Sequence, residues 1–283
     1  MKIGFIGFGE VSYTLSKIFF ENGFDILTSV EGRSIKTKEF VDSIDYIELL
    51  SNFEEVAKEA DILISANSPH SALGVALRYG SLTNGIFLDF NNISPETSKK
   101  IAHFIGDNHF VDSAIMGKVK SKELNIYLSG KLASKVEGFI NDNLDDTAES
   151  KINTSVVSEN IGDVSALKIL RSSYTKGVSA LLIETFESAK KLGLDEELWD
   201  ILDLTENRSF RDSSKSRINN SYKSSKRKYE ELEEVLDFLS TIGDSQKDKL
   251  MAIATRDKFQ FLKEKRWLVL KLIIKIIFFS MIS

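Results

Sequence analysis

KIGFIGFGEVS, residues 2–12, is the stretch on which the reading of the fold turns. Its first residues are Ile- and Phe-rich, the composition of a short strand. From Val11 onward, Leu15, Ile18 and Phe19 recur at helical spacing as far as Asn22-Gly23, a pair that ends helices. Between strand and helix stands Gly7-Phe8-Gly9-Glu10-Val11-Ser12, at the junction where a parallel sheet binds a dinucleotide. Gly7 permits the tight turn and Gly9 lets a pyrophosphate approach the main chain, while the helix start offers unpaired N–H groups and the positive end of its dipole. Ser12 takes the third position, where Gly or Ala is usual, and is small enough for helix and strand to pack closely. All six residues are therefore assigned to cofactor binding.

The end of the second strand discriminates between nicotinamide cofactors, because an acidic residue there binds the ribose hydroxyls of NAD whereas an arginine accommodates the extra phosphate of NADP. The chain reads Val30-Glu31-Gly32-Arg33-Ser34. Glu31 sits at the acidic position by count, yet Arg33 and Ser34 offer a cationic fork and a hydroxyl suited to a phosphate. NADP is expected, with NAD the alternative. At the end of the fourth strand, Asn67 and Ser68 lie at the carboxyl edge of the sheet and are assigned to the nicotinamide half. His70 follows them as an exposed residue early in a helix.

Outward from this site, the strand candidates begin at Lys2, Phe24, Tyr46, Asp61, Gly85, His109 and Asn125. All but the last two are followed by a plausible helix, which predicts strand–helix units around a mainly parallel sheet. Ser51 with Glu54 reads as a capping box, and Ser94-Pro95 as another helix start. After about residue 160 the periodicity becomes helical, interrupted near Gly193 and through the Ser/Asn/Lys-rich segment around 213–225. The fold class expected is α/β: an N-terminal Rossmann domain over residues 1–160, then an all-α domain over 161–283 for substrate binding and dimerisation.

Composition narrows the function classes. The chain has no cysteine and three histidines, none in a ligand motif, so no metal site is expected. A formal net charge of −5 speaks against general nucleic-acid binding, and the basic stretch at 215–228 is read as a solvated surface followed by an acidic run. The glycine-rich N-terminus does not read as a signal peptide, and a cytoplasmic address is expected. Residues 267–283, WLVLKLIIKIIFFSMIS, are strongly apolar but shorter than a comfortable bilayer span and broken by Lys271 and Lys275. They are read as a buried or dimer-facing helix, with no membrane span.

Four separated segments resemble the 6-phosphogluconate dehydrogenase-like, or β-hydroxyacid dehydrogenase, superfamily: GFIGFGEVS, DFNNISPET from Asp89, FVDSAIMGKV from Phe110 and GDVSALKILRSSYTKG from Gly162. The likeness covers essentially the first 195 residues and looks closest to a phosphogluconate dehydrogenase-like subgroup with its own C-terminal helical domain. It implies that Asn92, with Asn91 beside it, contacts substrate and cofactor. The family's serine and two glycines are here Met116-Gly117-Lys118, which implies a different, more apolar substrate. The family's catalytic lysine falls on Lys168. Ser172 and Thr175 lie at i+4 and i+7 from it, on the same helix face as substrate contacts, and Lys176 is a second catalytic candidate. Ser172 stands where the family has asparagine.

What the resemblance implies is a homodimeric, NADP-dependent oxidoreductase that moves hydride between the nicotinamide and a small hydroxy acid or related carbonyl compound, with lysine as acid/base. Two other readings stay open: a non-catalytic NADP-binding sensor or scaffold, and an imine- or pyrroline-carboxylate-type reductase drawing its acid from elsewhere.

Overall fold

The computed structural model describes residues 1–119, 123–145, 151–205, 209–242 and 245–280. Its first half alternates strand and helix: β1 (Lys2–Ile6), α1 (Glu10–Glu21), β2 (Asp25–Thr28), α2 (Ile35–Asp42), β3 (Ile47–Leu49), α3 (Phe53–Glu59), β4 (Ile62–Ser65), α4 (Pro69–Tyr79), β5 (Ile86–Asp89), α5 (Pro95–Ile105) and β6 (Phe110–Ile115). There follow β7 (Glu123–Ser129), α6 (Ala133–Asn143) and β8 (Lys151–Ser158). All eight strands join one sheet in the order β3-β2-β1-β4-β5-β6-β7-β8. Every pairing is parallel except β6 with β7. The order reverses beside β1, which puts a crevice at the carboxyl ends of β1 and β4.

Alternation along β1 divides the core. Ile3 and Phe5 pack with Leu15, Phe19 and Ile140 on one face, while Ile6 packs with Val56, Phe87 and Ile101 on the other. Gly4 faces α3 so closely that a Cβ would come within 2.7 Å of Ala60 Cβ, so a side chain there would push the helix off the sheet. Ser94 caps α5 as expected, accepting Thr97 N–H at 3.1 Å, with Pro95 in the first turn. The cap of α3 lies one residue later than the sequence suggested. Asn52, not Ser51, accepts an N–H from the third helical position, Glu55, at 2.9 Å, and the Glu55 carboxylate reaches back to Ser51 N–H at 3.2 Å.

Two elements were not signalled by the sequence. In α6, Gly138, Asn141, Asp142 and Asn143 are weak helix formers, and burial of Ala133, Val136 and Ile140 holds it instead. In β8, KINTSVVS is mostly polar because the strand is a half-exposed edge. Its Val156 N–H is taken by Glu137 Oε1 of α6 at 3.2 Å, and Thr154 Oγ1 donates to Asn141 Oδ1 at 2.8 Å.

Helices α7 (Asp163–Leu192), α8 (Asp195–Thr205), α9 (Phe210–Lys223), α10 (Ser225–Ile242) and α11 (Leu250–Ser280) complete the described chain. Contacts divide it into Met1–Ser173 and Tyr174–Ser283, a boundary inside α7 rather than at residue 160, because the start of α7 is bonded into the sheet. Gly193, at φ +69°, ends α7 where a break was expected. The segment around 213–225, expected to interrupt the helices, does so at Ser224, between α9 and α10, and is otherwise helical; it contains neither Gly nor Pro. Within the second unit, Glu184 accepts Met251 N–H and Ala252 N–H at 2.7 and 3.0 Å, capping α11. The side chains of the apolar tail lie outside the described residues. Among the described residues no helix is long and apolar enough to cross a membrane.

Candidate active site

The turn after β1 is built for close approach. Gly7 has φ +91°, and a Cβ on it would meet Asn67 Oδ1 at 2.5 Å and the Ala66 carbonyl at 2.6 Å. Ser12, fully buried, donates its hydroxyl to the Gly7 carbonyl at 2.7 Å and so ties the helix back to the turn. Phe8 turns its ring inward against Phe5, with centroids 6.0 Å apart. Both side chains sit beneath the turn: Ser12 lies in the tight packing of helix on strand that its small size suits, and Phe8 leaves only its main chain to a cofactor. Gly9 and Glu10 are exposed, with Val11 half-buried. Gly9 stands at the N-cap of α1 with no side-chain cap, and the space beside its Cα is open. The residues present thus fit a pyrophosphate held by main-chain N–H groups.

Arg33 does not point into solvent. Its Nη2 donates to Asn67 Oδ1 at 3.3 Å, its guanidinium lies 4.9 Å from the Phe53 ring centre, and its buried Nε has no partner. Glu31, the acidic competitor, accepts the Phe53 N–H at the start of α3 at 3.4 Å. Ser34 caps α2, accepting Thr37 N–H at 3.2 Å. Ser68 stands exposed at the N-cap of α4, its hydroxyl 2.9 Å from that of Ser71, and His70 is exposed as expected.

The turn after β5 connects this nucleotide edge to the lysine. Asn91, buried, accepts the Asn67 N–H and donates to Ser65 Oγ at 2.9 Å. Its side chain ties together the carboxyl ends of the neighbouring parallel strands β4 and β5; Asn92 beside it is exposed. Lys168, half-buried on α7, donates to the Phe90 carbonyl at 3.3 Å. Burial pushes the Lys168 ammonium below the usual lysine range, opposed by the carboxyls of Asp89 and Asp112. A lysine so placed can give up and regain a proton near neutrality more readily than a solvated one.

Asp112, buried on β6, anchors the helix that carries this lysine. It accepts Gly162 N–H at 3.1 Å, Ser165 N–H at 3.0 Å and Ser165 Oγ–H at 2.8 Å, with Ser129 Oγ–H at 3.3 Å. Asp89 and Asp112 were not singled out from the sequence. The signal available was a carboxylate inside each of two otherwise apolar runs, LDF and FVDSAI. Of the other expected substrate contacts, Met116 is half-buried and Gly117 exposed beyond β6, and Ser172 is half-buried one turn after Lys168. Thr175 and Lys176 continue α7, but their side chains lie outside those described. Among the described residues no cluster of three or more His, Asp or Glu side chains is grouped to hold a metal.

The "uncharacterized 28.5 kDa protein in 7S RNA 5′ region" of Methanothermus fervidus is 40% identical over 264 residues, 93% of this chain and 100% of that protein. A conserved protein whose solved structure was described as revealing similarity with 3-hydroxyacid dehydrogenases is 39% identical, over 93% of this chain and 98% of its own, with a TM-score of 0.62. The chain belongs to the β-hydroxyacid dehydrogenase-like superfamily. Residues 189–262 match the superfamily's C-terminal domain described as a domain of unknown function, DUF1932. The superfamily fold extends to an imine reductase variant from Myxococcus stipitatus, solved with NAD+, at 16% identity, 93% and 94% coverage and a TM-score of 0.74.

Proposed function

We propose that the chain is an NADP(H)-dependent oxidoreductase acting on a small hydroxy acid or a related carbonyl compound, with Lys168 as acid/base. The observation that carries this reading is the half-buried Lys168, held at the carboxyl edge of the sheet beside the Asn91–Asn67 contact that leads to Gly7. Main chain at Gly7, Gly9 and Glu10 would hold the pyrophosphate, and Arg33 the additional phosphate of NADP. When bound, the nicotinamide supplies the hydride acceptor or donor. In the oxidising direction the Lys168 amine removes the proton of a substrate hydroxyl as its carbon loses hydride; in the reducing direction the ammonium returns that proton to the new alkoxide oxygen. Exposed Asn92 and half-buried Met116 would border the substrate.

A second reading, reduction of an imine, is favoured by the solved neighbours. They include an imine reductase from Myxococcus stipitatus in complex with NADP+ and a reductive aminase from Aspergillus terreus in complex with NADPH. The departure at Met116-Gly117-Lys118 suits either substrate class. A cytoplasmic location and a homodimer are part of the proposal, the second testable by sedimentation. The decisive experiment is titration with NADPH and NADH by nucleotide fluorescence, repeated with Arg33→Ala. Tighter NADPH binding, selectively lost in the variant, is expected; no binding of either nucleotide refutes the reading, while binding without turnover on hydroxy acids, keto acids or imines leaves the chain a sensor.

A further inference from the structure

Asp89 ends β5 with its carboxyl turned into the core, 1% exposed. One oxygen accepts the Asn91 N–H at 2.7 Å, and the other, equally buried, has no partner. A carboxylate is an acceptor with room for about four hydrogen bonds, so half of this group is unsatisfied where water cannot reach it. Nothing in the fold requires an acid here merely to close the turn, since an amide oxygen accepts the same N–H.

The charged groups that face Asp89 come from two elements. Asp112 stands opposite it in register on β6, and Lys168 reaches over from α7. The Lys168 ammonium is bonded to the carbonyl of Phe90, the residue next to Asp89, and Asn91 on the other side of Phe90 holds Asn67 at the nucleotide edge. Residues 89–91 thus place an incompletely bonded buried acid, the acceptor of the lysine and the brace of the cofactor turn in three consecutive positions.

We propose that Asp89 is a positioning residue that tunes the proton affinity of Lys168, whose Nζ is bonded to the carbonyl of the very next residue, so that the lysine holds its proton more tightly when Asp89 is ionised than when it is not. Burial pushes the Asp89 carboxyl up to about 7 against the hydrogen bonding of Asn91, with Asp112 adding to the rise and Lys168 opposing it to a smaller extent. The coupling is reciprocal. Burial pushes Lys168 down while Asp89 and Asp112 hold it up, so protonating Asp89 removes one of the two anions that keep the lysine charged. Asp112 cannot take over this task freely, because its oxygens already receive four donors. The importance of this coupling for turnover rests on the acid/base role proposed for Lys168; the coupling itself does not.

The test uses the full chain with 13C-labelled lysine side chains, the Lys168 signal being the one missing in Lys168→Met. Asp89→Asn keeps the oxygen that accepts Asn91 N–H and removes the charge. The expected result is a fall in the Lys168 titration midpoint by about one pH unit, the displacement that loss of a nearby opposite charge produces. An unchanged midpoint in a folded variant overturns the proposal and leaves Asp89 a turn residue.

If Asp89→Asn does not fold, 13C-carboxyl aspartate labelling of the wild type and Lys168→Met replaces it. The aspartate signal titrating near neutrality moves up when the lysine is removed, and a signal that does not move overturns the proposal. NADPH titration of the wild type runs beside both. Loss of nucleotide binding with the charge coupling intact defeats the proposed function alone, and binding without coupling defeats this inference alone.

Discussion

Replacing Asp112 with alanine tests whether one buried carboxylate fastens α7 to the sheet. The substitution strips the acceptor from two main-chain N–H groups, those of Gly162 and Ser165, and from the hydroxyls of Ser165 and Ser129. Loss of a helix-start acceptor costs about 1 kcal/mol. A buried donor left unpartnered costs about 1–3 kcal/mol. Both hydroxyls can rotate toward other acceptors, so the two amides dominate. Against this, burial pushes the Asp112 carboxyl above its ordinary range, which means that its charged form is itself a burden relieved by alanine. The net expectation is a loss of about 3 kcal/mol from a reserve of about 5–15 kcal/mol. Asp112→Asn keeps one acceptor oxygen and is expected to lose about a third as much. Urea titration followed by far-UV circular dichroism reads both, with the midpoint falling at constant slope. An alanine variant within about 0.5 kcal/mol of wild type, the ordinary range of a surface change, would refute the account, as would an asparagine variant less stable than alanine.

Two further outcomes follow from the same geometry. Gly7→Ala meets both a positive φ and oxygens within 2.6 Å of the new methyl, so nucleotide binding is expected to fall at least about tenfold for a displacement costing some 1.4 kcal/mol; wild-type affinity by NADPH fluorescence would show that the turn tolerates a side chain. Asp89, raised from 3.8 to about 7 in the fold, keeps its proton where the unfolded chain has lost it. Its contribution to stability is therefore complete below about pH 4 and disappears as pH rises through about 7, with an upper bound of roughly 4 kcal/mol. Asp89→Asn should thus gain stability relative to wild type over that window and hold a constant difference above it, and parallel stability–pH curves for the two proteins count against a raised carboxyl.

The nucleotide half of the site was legible because it is written in consecutive residues: strand, glycine turn and helix are local, and residues 2–19 carry all three signals. The lysine half was legible only through family resemblance. Nothing in the spacing of Lys168 discloses that its ammonium lies against the carbonyl of Phe90, 78 residues away in sequence. Asn91 was assigned to substrate through the resemblance, as the neighbour of Asn92, and the sequence did not disclose that its side chain braces Ser65 and Asn67. Ser12 was assigned to the cofactor on motif position, yet its hydroxyl serves the turn from below. The helices and edge strand that escaped notice, α6 and β8, lack strong propensity and owe their form to what they pack against.

The carboxylate of Glu137 bears on how the folded chain behaves in a crowd. β8 is the longest strand and the last in the sheet, and an uncovered edge of that length would serve as a template for another chain's backbone. By occupying the N–H of Val156, Glu137 places a charged stopper on that template, and Asn141 beside it takes only a side-chain hydroxyl, that of Thr154. The helix that packs on this strand thereby also blunts its edge, through a side chain remote from any chemistry.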